Sequence, residues 1–228
     1  MLEKKFDEIA DSYENALPKH VLKHYFQKRN SFLDNFIKPG DKVLDVGCGT
    51  GKLVSNLSSK KKFFKCGCDN SLGMLNVHRK SVNFKKVCCG CRQLPFYSDA
   101  FDLVISIAVT HHLTSDYEVA EAIREMIRVT KKGGKIVIWD ANHLNPYWLF
   151  LFKKISYDEG VESPVKLSKV ILEAKRNNIS GIRVIKSGWI PDFAPKVLMP
   201  FFQLAEYVLE KLPVVNLFSA HNIVILNK

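Results

Sequence analysis

The chain has 228 residues, 46% hydrophobic, 25% charged and 11% aromatic, which is enough for a well-packed core and unlike a disordered, collagenous or disulfide-framework composition. No apolar run approaches the roughly 20 residues of a spanning helix. The N-terminal MLEKKFDEIADSYENA interleaves charges with apolar residues where a secretory leader would be continuously apolar, so a cytosolic protein is expected. The formal net charge of +11 is uneven, with most of the excess between residues 41 and 100.

From Lys4 to Phe36 apolar residues recur at three- and four-residue steps, predicting two helices separated at Pro18. After the turn Pro39-Gly40-Asp41, the segment Lys42 to Val46 reads as a buried strand ending in a glycine-rich loop. A helix over 51–61, a strand over 63–68, a helix over 71–79 and a strand over 84–89 follow. A strand over 101–107, an amphipathic helix over 116–129, a turn at Lys131-Lys132-Gly133-Gly134 and a strand over 134–139 continue the alternation. It predicts an α/β fold with a mostly parallel sheet and helices on both faces. Beyond Asp140 come an apolar stretch over 146–155, a helix over 168–177 and a strand over 182–189. A proline-rich insertion over 190–216, with a helix near 199–212, precedes a last strand over 221–226.

Five of the six cysteines fall between Cys66 and Cys91. Their spacing lacks the two clean pairs of a zinc site, so they read as small apolar strand residues, with neither metal nor disulfide expected.

Residues 43–53 read VLDVGCGTGKL. A dinucleotide fingerprint would need a glycine where Lys52 stands, and a P-loop would need Ser or Thr where Leu53 stands. Glycines 47, 49 and 51 let the backbone pass close to a bound group, and Asp45 can accept hydrogen bonds from an ammonium. The loop therefore suits a cationic, phosphate-free nucleoside. Asp69, at the end of the second strand, stands where an acid would accept both hydroxyls of a ribose.

With these residues the sequence resembles the class I S-adenosylmethionine-dependent methyltransferases, from about Phe6 to Asp140. The motifs are VLDVGCGTG, Asp69, CRQLPFYSDAFDLVIS and RVTKKGGKIVIWD. The resemblance implies a Rossmann-like, seven-stranded sheet, S-adenosylmethionine as cofactor, and a cofactor site of Tyr13, Asp45, Gly47, Gly49, Gly51, Asp69, Asn70, Cys91, Arg92 and Ile107. It also implies one domain over 1–228, with lid helices in 1–40 that include Tyr13, a cofactor core in 41–140 and a substrate-side region in 141–228. Many relatives carry an aspartate for the adenine amino group where this chain has Gly90, so the backbone near Cys91 and Arg92 is left for that contact.

Methyl transfer is a direct displacement that rests mainly on positioning and exclusion of water. For a hydroxyl or carbon acceptor a base helps, and His111 and His112, just past the fourth strand, are the candidates, with His112 preferred. The Asn-Pro-Pro-Tyr type of motif of DNA and glutamine methyltransferases is absent, so no DNA partner is expected. ISIAVTHHLTS is similar to the methyltransferases that esterify carboxymethyluridine at the tRNA wobble position. Lys60 to Lys62, Lys65, Arg79, Lys80, Lys85 and Lys86, however, are expected at the sheet edge opposite the active site, which disfavours tRNA. The C-terminal third resembles small bacterial and archaeal methyltransferases of uncertain substrate, often considered lipid- or secondary-metabolite-directed. Its Trp148, Phe150, Phe152, Phe201, Phe202, Tyr207 and Leu209 suit a lipophilic small-molecule acceptor or a peripheral membrane contact. A catalytically silent binding subunit is a further alternative, for which Gly90 is the hint.

Overall fold

The computed structural model describes residues 2–57, 61–77, 84–151 and 164–228. Lys60, Arg79, Lys80, Phe152, the Phe150 side chain and the expected ends of the helices at 51–61 and 71–79 lie outside them.

Seven strands form one sheet in the order β3-β2-β1-β4-β5-β7-β6. They are β1 (Lys42–Val46), β2 (Phe64–Asp69), β3 (Lys85–Cys88), β4 (Phe101–Ile107), β5 (Thr130–Ala141), β6 (Gly181–Ser187) and β7 (His221–Asn227). All neighbours pair in parallel except β7, which runs antiparallel to β5 and β6. The sheet is thus mostly parallel, as the strand-helix alternation predicts.

Side-chain alternation divides the core into two layers. On one face Leu44, Val46, Val104, Ile136, Ile138 and Val224 pack with α5 (Asp116–Val129) and α7 (Leu167–Arg176). On the other, Val43, Leu103, Ile105, Val137, Trp139 and Ile223 pack with α2 (Lys19–Asp34) and α3 (Lys52–Asn56). Asp45 shares a face with Val43, so its carboxylate is turned to the α2 side. Cys66 and Cys68 are buried in β2, and the six cysteines are free thiols.

One expectation needs correcting. The turn expected at 131–134 is part of β5: Thr130 pairs with Phe101 and Lys135 with Leu103, so four bulged residues face Asp102. The C-terminus holds them in the sheet, with the Gly133 N–H donating to the Lys228 carbonyl at 2.6 Å and the Lys228 N–H to Gly134 at 3.1 Å. The helix expected near 199–212 is α8 (Met199–Leu209), and Pro213, which can start a helix but not continue one, opens a further one, α9 (Pro213–Asn216). The remaining helices are α1 (Leu2–Ile9), α4 (Leu72–Asn76) and α6 (Pro146–Leu151).

Candidate active site

The strand order reverses between β1 and β4, and parallel sheets bind ligands at such a switch, outside the carboxyl ends of the strands. A cleft of about 400 Å³ lies there. Its floor is the loop after β1. Gly47, Gly49 and Gly51 have φ of 75°, 53° and 78°, a left-handed region that strains other residues. At Gly47 a Cβ would also strike Val109 Cγ2 at 2.3 Å.

Asp69 braces this loop. Its carboxylate accepts the Gly49 N–H at 2.8 Å and the Ser71 N–H at 3.0 Å. Burial pushes its pKa up, while those backbone bonds and the nearby His112 pull it back. Each carboxylate oxygen keeps capacity for a further donor, as a ribose diol would need.

The N-terminal segment is tied across the cleft at two points. Asp7 accepts the Ser71 hydroxyl at 2.6 Å and the Gly73 N–H at 2.7 Å, at the start of α4. Glu14 accepts the Thr50 hydroxyl at 2.9 Å and Lys52 Nζ at 2.5 Å. Phe6 and Tyr13 thereby line the cleft, with ring centroids 6.3 Å apart.

Deeper in, two opposite charges border the same space. Asp45 is only 2% exposed, and its carboxylate has no hydrogen-bond or ion-pair partner among the described residues. Burial pushes it up to about 7; the Asp69 charge adds to the rise and Arg29 opposes it. Arg29, from α2, is stacked near Tyr25 and Trp139 at 5.8 and 5.9 Å, and its guanidinium has no carboxylate partner among the described residues. Burial lowers its pKa, against the charges of Tyr25, Tyr13, Asp140 and Asp45. A guanidinium nonetheless stays charged. A ligand carrying an ammonium and a carboxylate, as the methionine part of S-adenosylmethionine does, matches this pair.

The sequence-predicted residues Tyr13, Asp45, Gly47, Gly49, Asp69, Asn70, Cys91, Arg92, Ile107 and His112 all border the cleft. Gly51 underlies the loop as the residue capping α3, where a Cβ would meet the Phe84 ring at 2.1 Å. Arg92 turns its guanidinium to Glu118, at 2.9 Å. Gly90 is open, and a Cβ there would meet nothing within 4 Å.

The two histidines part company. His112 borders the cleft, edge-on to Phe6 at 5.2 Å. His111 Nδ1 bonds Asp140 Oδ1 at 2.5 Å, and it does not line the cleft. Burial pushes the Asp140 carboxyl up, but the charge and hydrogen bond of His111, with bonds from Thr110 and Ala141, outweigh it and hold it well below the usual range. Of the two catalytic candidates, the structure thus places His112 on the cleft and His111 against Asp140.

Sequence reasoning missed Arg29, Phe6, Glu14, Lys52, Val109 and Met74 around the site. Phe6 and Glu14 fall in the expected lid region, and Arg29 left a trace as an apolar-face cation in a helix with no acid from Lys19 to Leu33.

Residues 44–138 match the family model described as a methyltransferase domain. Residues 44–138 therefore carry a methyltransferase domain. A tRNA (carboxymethyluridine(34)-5-O)-methyltransferase of Xenopus tropicalis is 35% identical over 136 residues, covering 60% of this chain and 20% of the relative. A demethylmenaquinone methyltransferase of Paenarthrobacter aurescens (strain TC1) is 32% identical over 166 residues, covering 66% and 62%. The chain thus spans a fifth of one of these relatives and under two thirds of the other. The solved SAM-dependent methyltransferase from Archaeoglobus fulgidus superposes with a TM-score of 0.62 at 18% identity, covering 89% of this chain and 94% of that one. The methyltransferase domain therefore sits in the fold class that its strand order indicates.

Proposed function

We propose that the protein is an enzyme that transfers a methyl group from S-adenosylmethionine to a small, lipophilic hydroxyl or carbon acceptor. The whole chain acts as one domain, with residues 1–40 as a lid, 41–140 holding the cofactor and 141–228 on the acceptor side. Asp45 takes the cofactor's ammonium and Arg29 its carboxylate, while Asp69 accepts the ribose hydroxyls. Glycines 47, 49 and 51 let the backbone lie against the cofactor, which Tyr13 and Ile107 flank. Asn70, Cys91 and Arg92 border the adenine through their backbone. The bound cofactor supplies an electrophilic methyl on a sulfonium. Phe6, Tyr13, Val109 and Leu113 exclude water from it, and His112 accepts the acceptor's proton.

One observation carries the acceptor class: Phe6, Phe26, Leu53, Val109 and Leu113 line the cleft beside the polar groups assigned to the cofactor, and two of its three cations, Lys52 and Arg92, are already matched. Lys52 pairs with Glu14 at 2.5 Å and Arg92 with Glu118 at 2.9 Å, which leaves little positive surface for a phosphate backbone. Three lysines of the basic stretch serve elsewhere. Lys65 Nζ donates to the Ser55 and Leu57 carbonyls at 2.9 and 2.6 Å, Lys86 Nζ to Leu75, and Lys61 Nζ to Asp34 at 2.6 Å. These are the carboxyl ends of helices, at the sheet edge away from the cleft.

The second reading, a tRNA wobble-uridine methyltransferase, is favoured by the identity with the Xenopus tropicalis enzyme, which spans the ISIAVTHH segment's fold position. The test is transfer of radiolabelled methyl from S-adenosylmethionine into separate lipid-extract and total-tRNA fractions. Label in the organic phase is expected. Label in tRNA alone would overturn the lipophilic acceptor, and none in either, despite cofactor binding, would favour a silent binding subunit.

A further inference from the structure

The segment from Ile190 to Phe218 has an outward face of exposed apolar side chains with no cover among the described residues. Val197, Phe201, Leu204 and Val208 follow one another at steps of four, three and four along the continuous helical run of residues 196–209, so they share one side. They are 87%, 66%, 64% and 47% exposed, and Phe193 and Val214 are each 72% exposed beside them in sequence. Soluble monomers seldom expose so many large apolar side chains in one short stretch.

The charges of this segment are sorted by sign. Its three acids all turn inward. Asp192 accepts the Tyr25 hydroxyl at 2.9 Å, and Glu206 accepts the Trp189 N–H at 2.9 Å and pairs with His24 and Lys28. Glu210 pairs with Lys28 at 2.6 Å and accepts the Ser187 hydroxyl at 2.8 Å. Its two lysines, Lys196 and Lys211, stay exposed. On the adjoining α2, tied to the segment by His20 Nε2 and the Ala194 carbonyl at 2.7 Å, Lys19 and Lys23 are exposed too, and no acid occurs from Lys19 to Leu33.

An apolar stripe whose only outward charges are cations fits an anionic lipid surface: the rings and aliphatic chains enter the acyl boundary while the ammonium groups stay among the headgroups. A second copy of the chain would bring lysines against lysines. We infer that residues 190–218 dock the protein on anionic membranes. Because α2 lies beneath this segment and also lines the cleft with Phe26 and Arg29, the docked surface stands one helix from the methyl-transfer site. The inference does not depend on the nature of the acceptor.

The test is flotation of the full chain with vesicles of phosphatidylcholine alone and with about 30% phosphatidylserine added, with about tenfold stronger binding expected to the anionic set. The paired change F201D/L204D, at exposed positions, is expected to cut that binding by about tenfold or more with an unchanged melting temperature. K196E/K211E is expected to abolish the preference for phosphatidylserine, and it keeps the test decisive if the first variant does not fold. Failure of the native chain to float with the anionic vesicles would overturn the inference, as would variants that float undiminished. A concentration-dependent dimer in light scattering that F201D/L204D dissolves would assign the face to a second copy instead.

Discussion

Asp45 carries a tension between stability and cofactor binding that Asp45→Asn resolves. The carboxyl rises from 3.8 to about 7 on folding, chiefly through burial. Between those values the folded chain holds a proton that the unfolded chain releases, so this group's contribution to stability declines as pH rises from about 4 to about 7 and stays low above. Three units correspond to about 4 kcal/mol. The asparagine amide must satisfy its own polar atoms, so about half of that, ~2 kcal/mol, is the expected gain for the variant at pH 8.5, or roughly 4–8 °C for a chain of this size. At pH 5.5 the native carboxyl is protonated and the gain shrinks toward zero. Cofactor binding moves the other way: losing a charge-assisted hydrogen bond of about 1.5–3 kcal/mol weakens it by roughly 10- to 150-fold. Differential scanning fluorimetry at the two pH values and isothermal titration with S-adenosylmethionine measure both. A variant that melts no higher than the native protein at pH 8.5, and binds as tightly, would refute the role given to Asp45.

Gly90→Asp restores an acceptor at an open position, where a Cβ meets nothing within 4 Å; titration should show S-adenosylmethionine bound about five- to thirtyfold more tightly, for about 1–2 kcal/mol gained. Arg29→Met removes the cation that answers the cofactor carboxylate and should raise its dissociation constant by about tenfold or more, while acceptor-independent folding, read by circular dichroism, persists. His112→Ala should lower kcat by about 10²- to 10⁴-fold if it takes the acceptor's proton, with the melting temperature held. His111→Ala should do the reverse, costing about 3–5 kcal/mol of stability by stranding the buried Asp140 charge. Because Asp140 is held below its usual range, the stability its carboxylate contributes fades as the solution is acidified below about pH 4, which chemical denaturation across acidic pH reads directly.

The parts legible in the sequence are those fixed by local chemistry. Buried β-branched runs such as Val43 to Val46 can only be strands in a covered sheet, and three glycines at 47, 49 and 51 can only be a loop that something approaches. The parts that escaped depend on partners far away in sequence. Glu14 acquires its meaning from Thr50 and Lys52, and Asp7 from Ser71 and Gly73. Neighbouring histidines look alike in the string His111-His112, and only the register of β5, which brings Asp140 beside the first, separates a structural ring from one that faces the cleft. Lys131 to Gly134 has turn chemistry, yet its backbone hydrogen bonds to Lys228 keep it in the sheet.

Net charge is the property that misleads most, because it is a sum without direction. The stretch that carries the excess contains two very short helices, α3 and α4, each of five residues, too short to be stable without help at their ends. Carbonyls at a helix carboxyl end carry partial negative charge and lack partners within the helix. Lys65 and Lys86 reach them from the neighbouring strands, and β2 and β3 can place those side chains there only because they begin at the same sheet edge where the helices end. Lys65 and Lys86 are thus spent on closing the α/β crossovers, whereas residues 190–218 draw their acids inside and leave Lys196 and Lys211 exposed beside Lys19 and Lys23 of α2.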